Sequence, residues 1–419
     1  FWIKYNHNHS SNQCVLFIEG DNGSDDYVEI AFKPQLDIQF NNGTYSRYET
    51  NRKFRDPSAW YHIVIAVDTT QSTASNRLKL YVNGTQETSW ATETQIPQND
   101  VLQSNTSGKK MWLNAHYNGP KNFIDGYLAE VVWIDGTQYA ASDFGEFDSD
   151  SPRIWKPKDV SGLTFGNNGH YLDFEDSSNL GNDANGGTDW TEIGLAATDQ
   201  STDTPTNNFA TWNPLFRKGT TTPAFAEGNL KSTFDDGGAN EFALTTFGVS
   251  AGKWYAEVKW TSATGTGATA TGILDMAYTG TDDPNNSVTN AFGYFGSGQK
   301  NVSGTASSYG DSYTTNDIIG IAIDMDNNKL YFSKNGTFQD SGDPTSGSTG
   351  TGAISIISGV TYGIFTSDYN NKVAELNTGS PAYSISSGNA DGNSYGNFEY
   401  SVPSGYLALC TKNLGESGG

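Results

Sequence analysis

Residues 319–337 read IGIAIDMDNNKLYFSKNGT, and residues 63–85 repeat the same order of parts: IVIAVD, a polar loop, then LKLYVNGT. Each stretch holds an apolar strand-like run, a polar turn, a second run with Lys-Leu-Tyr, and an Asn-Gly pair. Asn-Gly between two such runs is a strong β-hairpin signal, because both residues tolerate a positive φ. The same hairpin used twice predicts two domains of related architecture.

The remainder of the chain continues this short-strand pattern. Apolar and aromatic runs alternate with clusters of Gly, Asn, Asp, Ser and Thr, and a period of 3.6 residues is nearly absent. Such alternation is typical of antiparallel sheets. We therefore predict an all-β protein with two antiparallel β-sandwich (jelly-roll) domains in tandem and under about 10% helix.

Four Asn-Gly-Ser/Thr triplets match the sequon for N-glycosylation. They begin at Asn22, Asn42, Asn83 and Asn335. Since each lies between strand-like runs, we expect hairpin turns at two or more of them.

A polar segment, 176–208, separates the two related hairpins. We place the first domain at 1–150, a connecting segment that partly completes the first sandwich at 151–208, the second domain at 209–411 and the start of a further linker at 412–419. The chain opens on a strand-like run and ends in Gly-Glu-Ser-Gly-Gly, so we expect it to be part of a longer protein.

Composition narrows the classes of partner. Lys and Arg number 24 against 47 Asp and Glu, a net charge of −23, and there is no basic stripe. Nucleic acid and anionic membrane are therefore poor partners. No run of about 18 apolar residues is present, which argues against membrane insertion. Cys14 and Cys410 lie in apolar runs near opposite ends, and we expect two buried free thiols, since their number and spacing suit neither a disulfide framework nor a zinc site.

The first domain resembles the concanavalin A-like group in its laminin-G and pentraxin-like branch. Trp60–Asp68 looks like that group's Trp-(His/Tyr)-His-Val strand, Leu78–Gly84 like its Leu-Tyr-Val-Asn-Gly hairpin, and Gly126–Val131 like a late strand. The N-terminal strand of that fold is not visible. The resemblance implies a lectin-like sandwich, truncated at its N-terminus.

The second domain resembles SPRY domains. Gly252–Val258 reads GKWYAEV, close to that family's Gly-Lys-Trp-Tyr-Trp-Glu strand. Ile319–Gly336 is similar to its strand-hairpin, and Tyr362–Phe365 stands where such domains carry Tyr-Pro-(Ala/Ile)-(Phe/Val). The resemblance implies a second sandwich that binds partners through loops at one end.

The combination also resembles bacteriophage tail fibre and appendage proteins. The segments that carry this likeness are Ser142–Phe147, Ile154–Pro157, Tyr171–Phe174 and Phe209–Leu215. It implies a virion surface protein assembled in the host cytoplasm, trimeric in its full-length form, with other virion proteins and a host-surface glycan or protein as partners. Because the chain is acidic, we expect trimer contacts through apolar faces or through other segments.

Two patterns associated with catalysis are incomplete in this sequence. Glu146, Asp148 and Asp150 partly match the Glu-x-Asp strand of glucanases, but the second Glu is missing and a Pro follows, so we predict a loop or short helical turn. Gly248–Gly252 fits Gly-x-Ser-x-Gly, but a strand follows where the nucleophile motif needs a helix. We predict no catalytic residues.

Metal ligands are equally sparse in the sequence. His7 and His9 share one strand face without an identifiable third ligand, and we expect a solvated strand end. Asp21, Asp25 and Asp26 form an acidic loop whose hard oxygen ligands suit Ca²⁺. We therefore predict no cofactor and no metal site, with calcium at this loop as the open alternative.

Loops of the second domain are the candidate binding surface. Ser303–Thr315 carries Tyr309 and Tyr313, and Thr366–Asn371 carries Asp368, Tyr369 and Asn370. Exposed aromatic rings beside amides and carboxylates suit sugars, while packed or merely solvated tyrosines are the alternative. The sequence thus predicts a non-enzymatic, receptor-binding adhesin. A structural virion module without a ligand and, less favoured, a polysaccharide-degrading enzyme stay open.

Overall fold

Both related stretches form the predicted hairpins in the computed structural model of the chain. It describes residues 1–5, 12–20, 23–116, 122–149, 153–216, 223–235, 241–280, 282–284 and 288–417. Strands make up 40% and helices 7%, which confirms the prediction of an all-β protein. The chain divides into two compact units, Phe1–Gln200 and Ser201–Gly419.

The described part of the first unit consists of short strands and 3-10 turns. Its strands are β1 Trp2–Tyr5, β2 Gln13–Gly20, β3 Gly23–Phe32, β4 Leu36–Asn42, β5 Tyr45–Thr50, β6 Tyr61–Val67, β7 Leu78–Val82, β8 Thr85–Glu87, β9 Trp90–Thr94, β10 Met111–Leu113, β11 Gly126–Ala129, β12 Val131–Trp133, β13 Gly145–Phe147, β14 Trp155–Pro157 and β15 His170–Leu172. The 3-10 turns are Ala74–Asn76, Gln103–Asn105, Ala141–Asp143 and Ala197–Asp199.

Two antiparallel sheets form the first sandwich. The five-stranded sheet has the order β11-β1-β6-β7-β8, and the six-stranded sheet has the order β10-β2-β3-β4-β5-β9. Alternate residues of the strands, among them Ile30, Ile38 and Leu80, point inward and form the core between the sheets. Two smaller antiparallel pairs, β12-β15 and β13-β14, complete the unit.

The second unit follows the same plan of short strands. Its strands are β16 Ala224–Ala226, β17 Lys231–Phe234, β18 Glu241–Leu244, β19 Lys253–Ser262, β20 Ala270–Asp275, β21 Ala291–Phe295, β22 Gln299–Val302, β23 Thr305–Ser308, β24 Ile318–Asp324, β25 Lys329–Lys334, β26 Thr337–Phe338, β27 Ile354–Ser355, β28 Tyr362–Asp368, β29 Lys372–Asn377 and β30 Leu407–Ala408. Two 3-10 turns, Gln339–Ser341 and Pro344–Thr349, lie between β26 and β27, and the helix α1 Thr411–Ser417 follows β30.

A nine-stranded and a six-stranded sheet make up the second sandwich. The path β16-β17-β29-β19-β24-β25-β26 carries β27 beside β25 and β30 beside β19, while the other sheet runs β18-β28-β20-β21-β22-β23. The core between them contains Trp212, Trp254, Trp260 and Phe332, all buried. A separate cluster that includes Tyr255, Phe398 and Tyr406 contributes further burial.

An antiparallel contact that we call the clasp joins the first and last strand-like residues of the second sandwich. Phe209 pairs with Cys410 in an antiparallel bridge. The Thr411 N–H donates to the Asn208 carbonyl oxygen at 2.9 Å, and the Ala210 N–H donates to the Leu409 carbonyl oxygen at 3.1 Å. Both ends of the sandwich are therefore held at one place.

The boundaries in the structure differ in part from the predicted ones. Most of the segment predicted as a connection belongs to the first unit and supplies β14 and β15, whereas residues 201–208 belong to the second unit. Residues 411–417 form α1 rather than a linker. The physical reason is a buried polar contact: the Asn413 side chain donates to Asp391 at 2.7 Å and so holds the helix in place.

The two cysteines are free and buried, as predicted. Burial raises the pKa of the Cys410 thiol, so the reactive thiolate form is suppressed. None of the helices within the described residues is long and apolar enough to cross a membrane.

The Asn-Gly turns confirm the repeated hairpin in detail. Asn83 and Gly84 have φ of 48° and 75°, and Asn335 and Gly336 have φ of 48° and 82°, so the turn prediction holds for two triplets. The Asn83 side chain accepts the His62 N–H at 2.7 Å. In the same way, Asn335 Oδ1 accepts the Ile318 N–H at 2.9 Å. Each Asn thus extends the strand ladder with its side chain. Asn22 lies outside the described residues.

Replacing Asn335 with Ala is expected to lower the free energy of unfolding by about 1–2 kcal/mol. An alanine at positive φ is strained, and the Ile318 N–H loses its acceptor. Asn335→Asp, which keeps an acceptor, and Asn335→Gly, which relieves the strain, should each cost less. Urea unfolding of the three variants measures this order, and an Ala variant as stable as the wild type would contradict it.

Candidate functional site

The structure buries two of the predicted binding tyrosines. Tyr309 is 7% exposed and Tyr313 is 1% exposed. The Tyr313 hydroxyl donates to the Tyr294 carbonyl oxygen at 2.7 Å, and the two rings lie 4.8 Å apart. The Tyr309 hydroxyl accepts the Phe332 N–H at 3.2 Å. The expectation of exposed rings here is wrong, because burial of these rings in the core outweighs the polar composition of their loop.

Asp368, the last residue of β28, is also fully buried. Its carboxylate accepts the Thr269 hydroxyl at 2.5 Å and the Thr264 N–H at 3.2 Å, so it holds the neighbouring loop. Burial raises its pKa. Because this carboxylate is fully buried and accepts hydrogen bonds from Thr264 and Thr269, its placement among surface binding groups is wrong.

Tyr369 and Asn370 keep the predicted surface position. Tyr369 is half-buried and Asn370 is exposed, in the tight turn between β28 and β29. Asn370 and Asn371 both have φ of 58°, which is typical of a type I′ hairpin turn. Whether these two residues contact a ligand stays a prediction.

Several metal candidates fall outside the described residues. His7, His9 and Asp21 are among them, and so is the side chain of Asp25. Asp26 is described and buried. Within the described part of the chain, no group of three or more His, Cys, Asp and Glu side chains could hold a metal ion.

The glucanase-like and elbow-like patterns have structural roles. Residues 145–147 form β13, not the predicted loop or helical turn, because they pair with β14. Lys156 lies 3.0 Å from Asp148 and 3.8 Å from Glu146, so the two carboxylates share one cation. Asp150 lies outside the described residues. Gly248–Gly252 leads directly into β19, so the prediction of a connection before a strand is confirmed.

The first sandwich contains a surface that the loop-based prediction missed. On the six-stranded sheet, the side opposite the core carries polar and aromatic residues, which we call the polar face. Strand register aligns one row of it across all six strands: Trp112, Phe17, Glu29, Gln39, Arg47 and Thr94. The flanking rows of the same face add Tyr27 and Tyr45 on one side, and Asp37, Glu49 and Thr92 on the other.

Hydrogen bonds connect the polar face into one network. Arg47 binds Asp37 through two parallel bonds of 2.9 Å and reaches Glu49 at 3.0 Å. The Gln39 amide oxygen accepts the hydroxyls of Tyr27 and Tyr45, each at 3.0 Å. These bonds fix the orientation of both tyrosine rings.

Charge is unevenly distributed over the polar face. Asp37 is fully buried and faces Arg47 and Lys33, the latter at 3.1 Å. The hydrogen bond to Asp37 raises the pKa of Arg47, which stays a cation. Burial, and then the charge of Asp37, raise the pKa of the Glu29 carboxyl. Burial also raises the pKa of Tyr27 to about 12, so its hydroxyl stays a donor.

Exposure decides which of these groups a ligand can reach. Tyr45 is 44% exposed, and the side chains of Arg47 and Glu49 are 25% and 17% exposed. Aromatic surface beside fixed donors and acceptors suits a sugar, whose apolar face stacks on a ring while its hydroxyls take the polar groups.

A sequence signal for this face existed in the alternation of β3, β4 and β5. Residues 26–32 read DYVEIAF, 36–42 read LDIQFNN, and 45–50 read YSRYET. In β3 and β4, apolar residues predominate at one parity and Tyr, Glu, Asp or Gln at the other, as a half-buried sheet requires, while β5 places Tyr45, Arg47 and Glu49 at one parity.

Comparisons with known proteins agree with this architecture. Residues 1–140 match the family described as the concanavalin A-like lectin/glucanases superfamily, and residues 253–356 match the SPRY domain. The crystal structure of the SPRY domain of human HERC1 is similar with a TM-score of 0.28 and 18% identity, covering 35% of this chain and 87% of that chain. None of the curated proteins compared matches the chain. The two family matches support a concanavalin A-like domain and a SPRY domain in tandem.

Proposed function

We propose that the chain is a non-enzymatic attachment protein that binds a host-surface glycan through the polar face of its first sandwich. The observation that supports it is the exposed part of that face, Tyr45 beside Arg47 and Glu49, which hydrogen bonds to the buried Gln39 and Asp37 hold in place. Rigid sandwich walls hold these side chains without reorganisation on binding, which favours recognition over chemistry.

The carboxylates support binding rather than hydrolysis. A glycosidase needs two carboxyl groups that flank the scissile bond, one of them free to act as nucleophile or base. On the polar face, Asp37 is occupied by Arg47, Lys33 and Gln39. At β13, Lys156 pairs with both Glu146 and Asp148.

A virion location belongs to the same proposal and rests on sequence resemblance. The segments around Ser142–Phe147 and Phe209–Leu215 resemble joints of phage fibre and appendage proteins. On that basis the chain would sit on a virion surface, contact other virion proteins and form a trimer in its full-length form. Antibody labelling of phage particles, followed by electron microscopy, tests the location.

Tyr45→Ala is expected to weaken glycan binding up to about tenfold, because a stacked ring contributes roughly 0.5–1.5 kcal/mol beyond its area. The ligand is first identified by applying the purified chain to a glycan array, and affinity is then measured by titration calorimetry. Stability should change by under about 0.5 kcal/mol, since Tyr45 is 44% exposed.

Phe147→Ala is the matched control. Phe147 is 55% exposed and lies on β13, away from the polar face, so its loss should leave affinity unchanged. A chain that binds no glycan would favour a structural virion module. Unchanged binding by Tyr45→Ala would move the site elsewhere, for instance to Tyr369. Release of reducing sugar from the bound glycan would contradict the non-enzymatic proposal.

A further inference from the structure

Glu29 lies in the middle of the polar face, between Phe17 of β2 and Gln39 of β4. The residue is 7% exposed. Within the described part of the chain, its carboxylate has neither a hydrogen-bond donor nor an ion-pair partner. Unlike the Thr366 hydroxyl oxygen, which is fully buried and also lacks a partner, the Glu29 oxygens still reach solvent. The carboxylate is therefore open to a ligand.

The donors around Glu29 bond to other acceptors. The Tyr27 hydroxyl donates to the Gln39 amide oxygen, and the Gln39 amide nitrogen donates to Asp37, each at 3.0 Å. Arg47 also directs two bonds of 2.9 Å to Asp37. Because these donors are held by their own partners, none of them turns toward Glu29 without breaking a bond that orders the polar face.

The charges around Glu29 leave one anion without a counter-ion. Two cations, Lys33 and Arg47, lie near three anions, Glu29, Asp37 and Glu49. Both cations bind Asp37, at 3.1 and 2.9 Å, and Arg47 also binds Glu49 at 3.0 Å. Among the described side chains, the uncompensated charge is therefore that of Glu29. A largely buried carboxylate in this state costs free energy, which a ligand cation would recover.

We propose that Glu29 determines the specificity of the polar face by binding the protonated amino group of an amino sugar in the glycan. This inference rests on the proposed function and names its ligand class. An ammonium group brings both the missing positive charge and hydrogen-bond donors, and charge-assisted hydrogen bonds are the stronger ones. A neutral sugar hydroxyl brings a donor alone and leaves the charge uncompensated.

The distance from Glu29 to Tyr45 indicates the length of the ligand. Tyr45 lies two strands away and one row along the polar face, since Glu29 pairs with Gln39 and Gln39 pairs with Arg47. Strands are about 4.8 Å apart and rise about 3.3 Å per residue, which puts the two Cα atoms about 12 Å apart. The proposed ligand is therefore an oligosaccharide that stacks on Tyr45 and places an amino group at Glu29.

A single available carboxylate favours recognition over hydrolysis. Asp37 is fully buried and bound by Arg47, and Glu49 accepts bonds from Arg47 and from the Thr92 hydroxyl, at 3.0 and 3.3 Å. Neither is available as the second carboxyl group that a glycosidase needs. Glu29 is thus suited to hold a charged group of the ligand rather than to cleave it.

Titration calorimetry with two forms of one oligosaccharide tests the proposal. The probe is a fully deacetylated chitosan oligomer, whose glucosamine units carry free amino groups. The control is the same oligomer with its amino groups acetylated, which removes the charge and keeps the sugar rings. The wild type should bind the probe at least about tenfold more tightly than the acetylated oligomer.

A pair of variants separates Glu29 from the general acidity of the chain. Glu29→Gln keeps the size of the side chain and should weaken binding of the probe at least about tenfold, with under about twofold change for the acetylated oligomer. Glu93→Gln is the matched control, because Glu93 is exposed on β9 at the parity opposite to Thr92 and Thr94. Both variants lose one negative charge, so an unspecific attraction of the cationic probe would weaken equally in both.

Urea unfolding gives a readout that does not depend on any glycan. Because the Glu29 carboxylate has no partner among the described residues, Glu29→Gln should unfold at the same urea concentration as the wild type or at a higher one. A clearly lower midpoint would show that the fold itself uses this carboxylate, which overturns the proposal.

The proposal is also overturned if the probe does not bind, if the acetylated oligomer binds as tightly as the probe, or if Glu29→Gln and Glu93→Gln lower the affinity equally. The proposed function would survive each of these results if a glycan on the array still binds and Tyr45→Ala weakens its binding. A chain that binds neither oligomer nor any glycan on the array would contradict both.

Discussion

Glu257→Ala is expected to lower the free energy of unfolding of the second sandwich by about 3–5 kcal/mol. Glu257 is fully buried on β19 and accepts five hydrogen bonds. The donors are the Tyr255 hydroxyl, the Asn377 amide, the Tyr383 hydroxyl and the N–H groups of Glu399 and Tyr400, at 2.8–3.3 Å. Each buried donor left without an acceptor costs about 1–3 kcal/mol, and relaxation recovers part of the total.

Urea unfolding followed by tryptophan fluorescence measures this loss. Asp311→Ala is the control, since that side chain is exposed and should change stability by under about 0.5 kcal/mol. The stability of Glu257→Gln should lie between those of the wild type and Glu257→Ala, because glutamine keeps one acceptor oxygen but turns an NH₂ group toward the donors. An Ala variant within about 1 kcal/mol of the wild type would show that water replaces the carboxylate in this network.

The same carboxyl gives the stability a pH dependence of known sign. Burial is the largest cause that raises the pKa of Glu257 above its ordinary value of 4.5. Folding therefore favours the protonated form, so this contribution is complete below the unfolded pKa and is lost as pH rises through the folded pKa. The stability advantage of the wild type over Glu257→Gln should be largest below pH 4.5 and shrink as the pH rises above it. A constant or widening difference would contradict the raised pKa.

Tyr313→Ala is expected to destabilise the second sandwich by about 3–5 kcal/mol, as for other large buried aromatic residues. Tyr313 is 1% exposed, and its ring packs on Tyr294. Tyr313→Phe keeps the ring and removes the hydroxyl, with its hydrogen bonds to the Tyr294 carbonyl oxygen and to Thr271, so it should cost about 1–2 kcal/mol. Calorimetric melting of both variants separates packing from hydrogen bonding.

Tyr369→Ala is the matched comparison, because Tyr369 is half-buried in a hairpin turn. Its loss should cost under about 1 kcal/mol. If Tyr313→Ala and Tyr369→Ala were equally stable, Tyr313 would not be a core residue.

Local patterns predicted the fold well. The Asn-Gly turns at Asn83 and Asn335, and the apolar runs of β6 and β24, depend on neighbours within a few residues, so the sequence alone identifies them. The family resemblances rested on the same hairpins. Helix α1 escaped prediction because it is short and is held by the Asn413–Asp391 contact across 22 residues.

The candidate site was predicted less well than the fold, because it depends on contacts between segments that are distant in the sequence. Tyr309 and Tyr313 lie in a polar loop, and only the return of that loop to Tyr294 and Phe332 buries them. The polar face arises when separate strands pair in one register, which aligns Glu29, Gln39 and Arg47. A single strand shows which residues share a face, but not which strands lie beside it.

The clasp determines how the second sandwich would respond to tension along the chain. Residues 208 and 411 are bonded to each other in an antiparallel pair, so pulling residues before 207 and after 413 in opposite directions loads these bonds first and one at a time. Such peeling needs less force than sliding paired strands past each other, where many bonds break together. While the clasp holds, the load passes directly between its two strands and bypasses both sheets. The two sheets would therefore carry no load until the clasp opens.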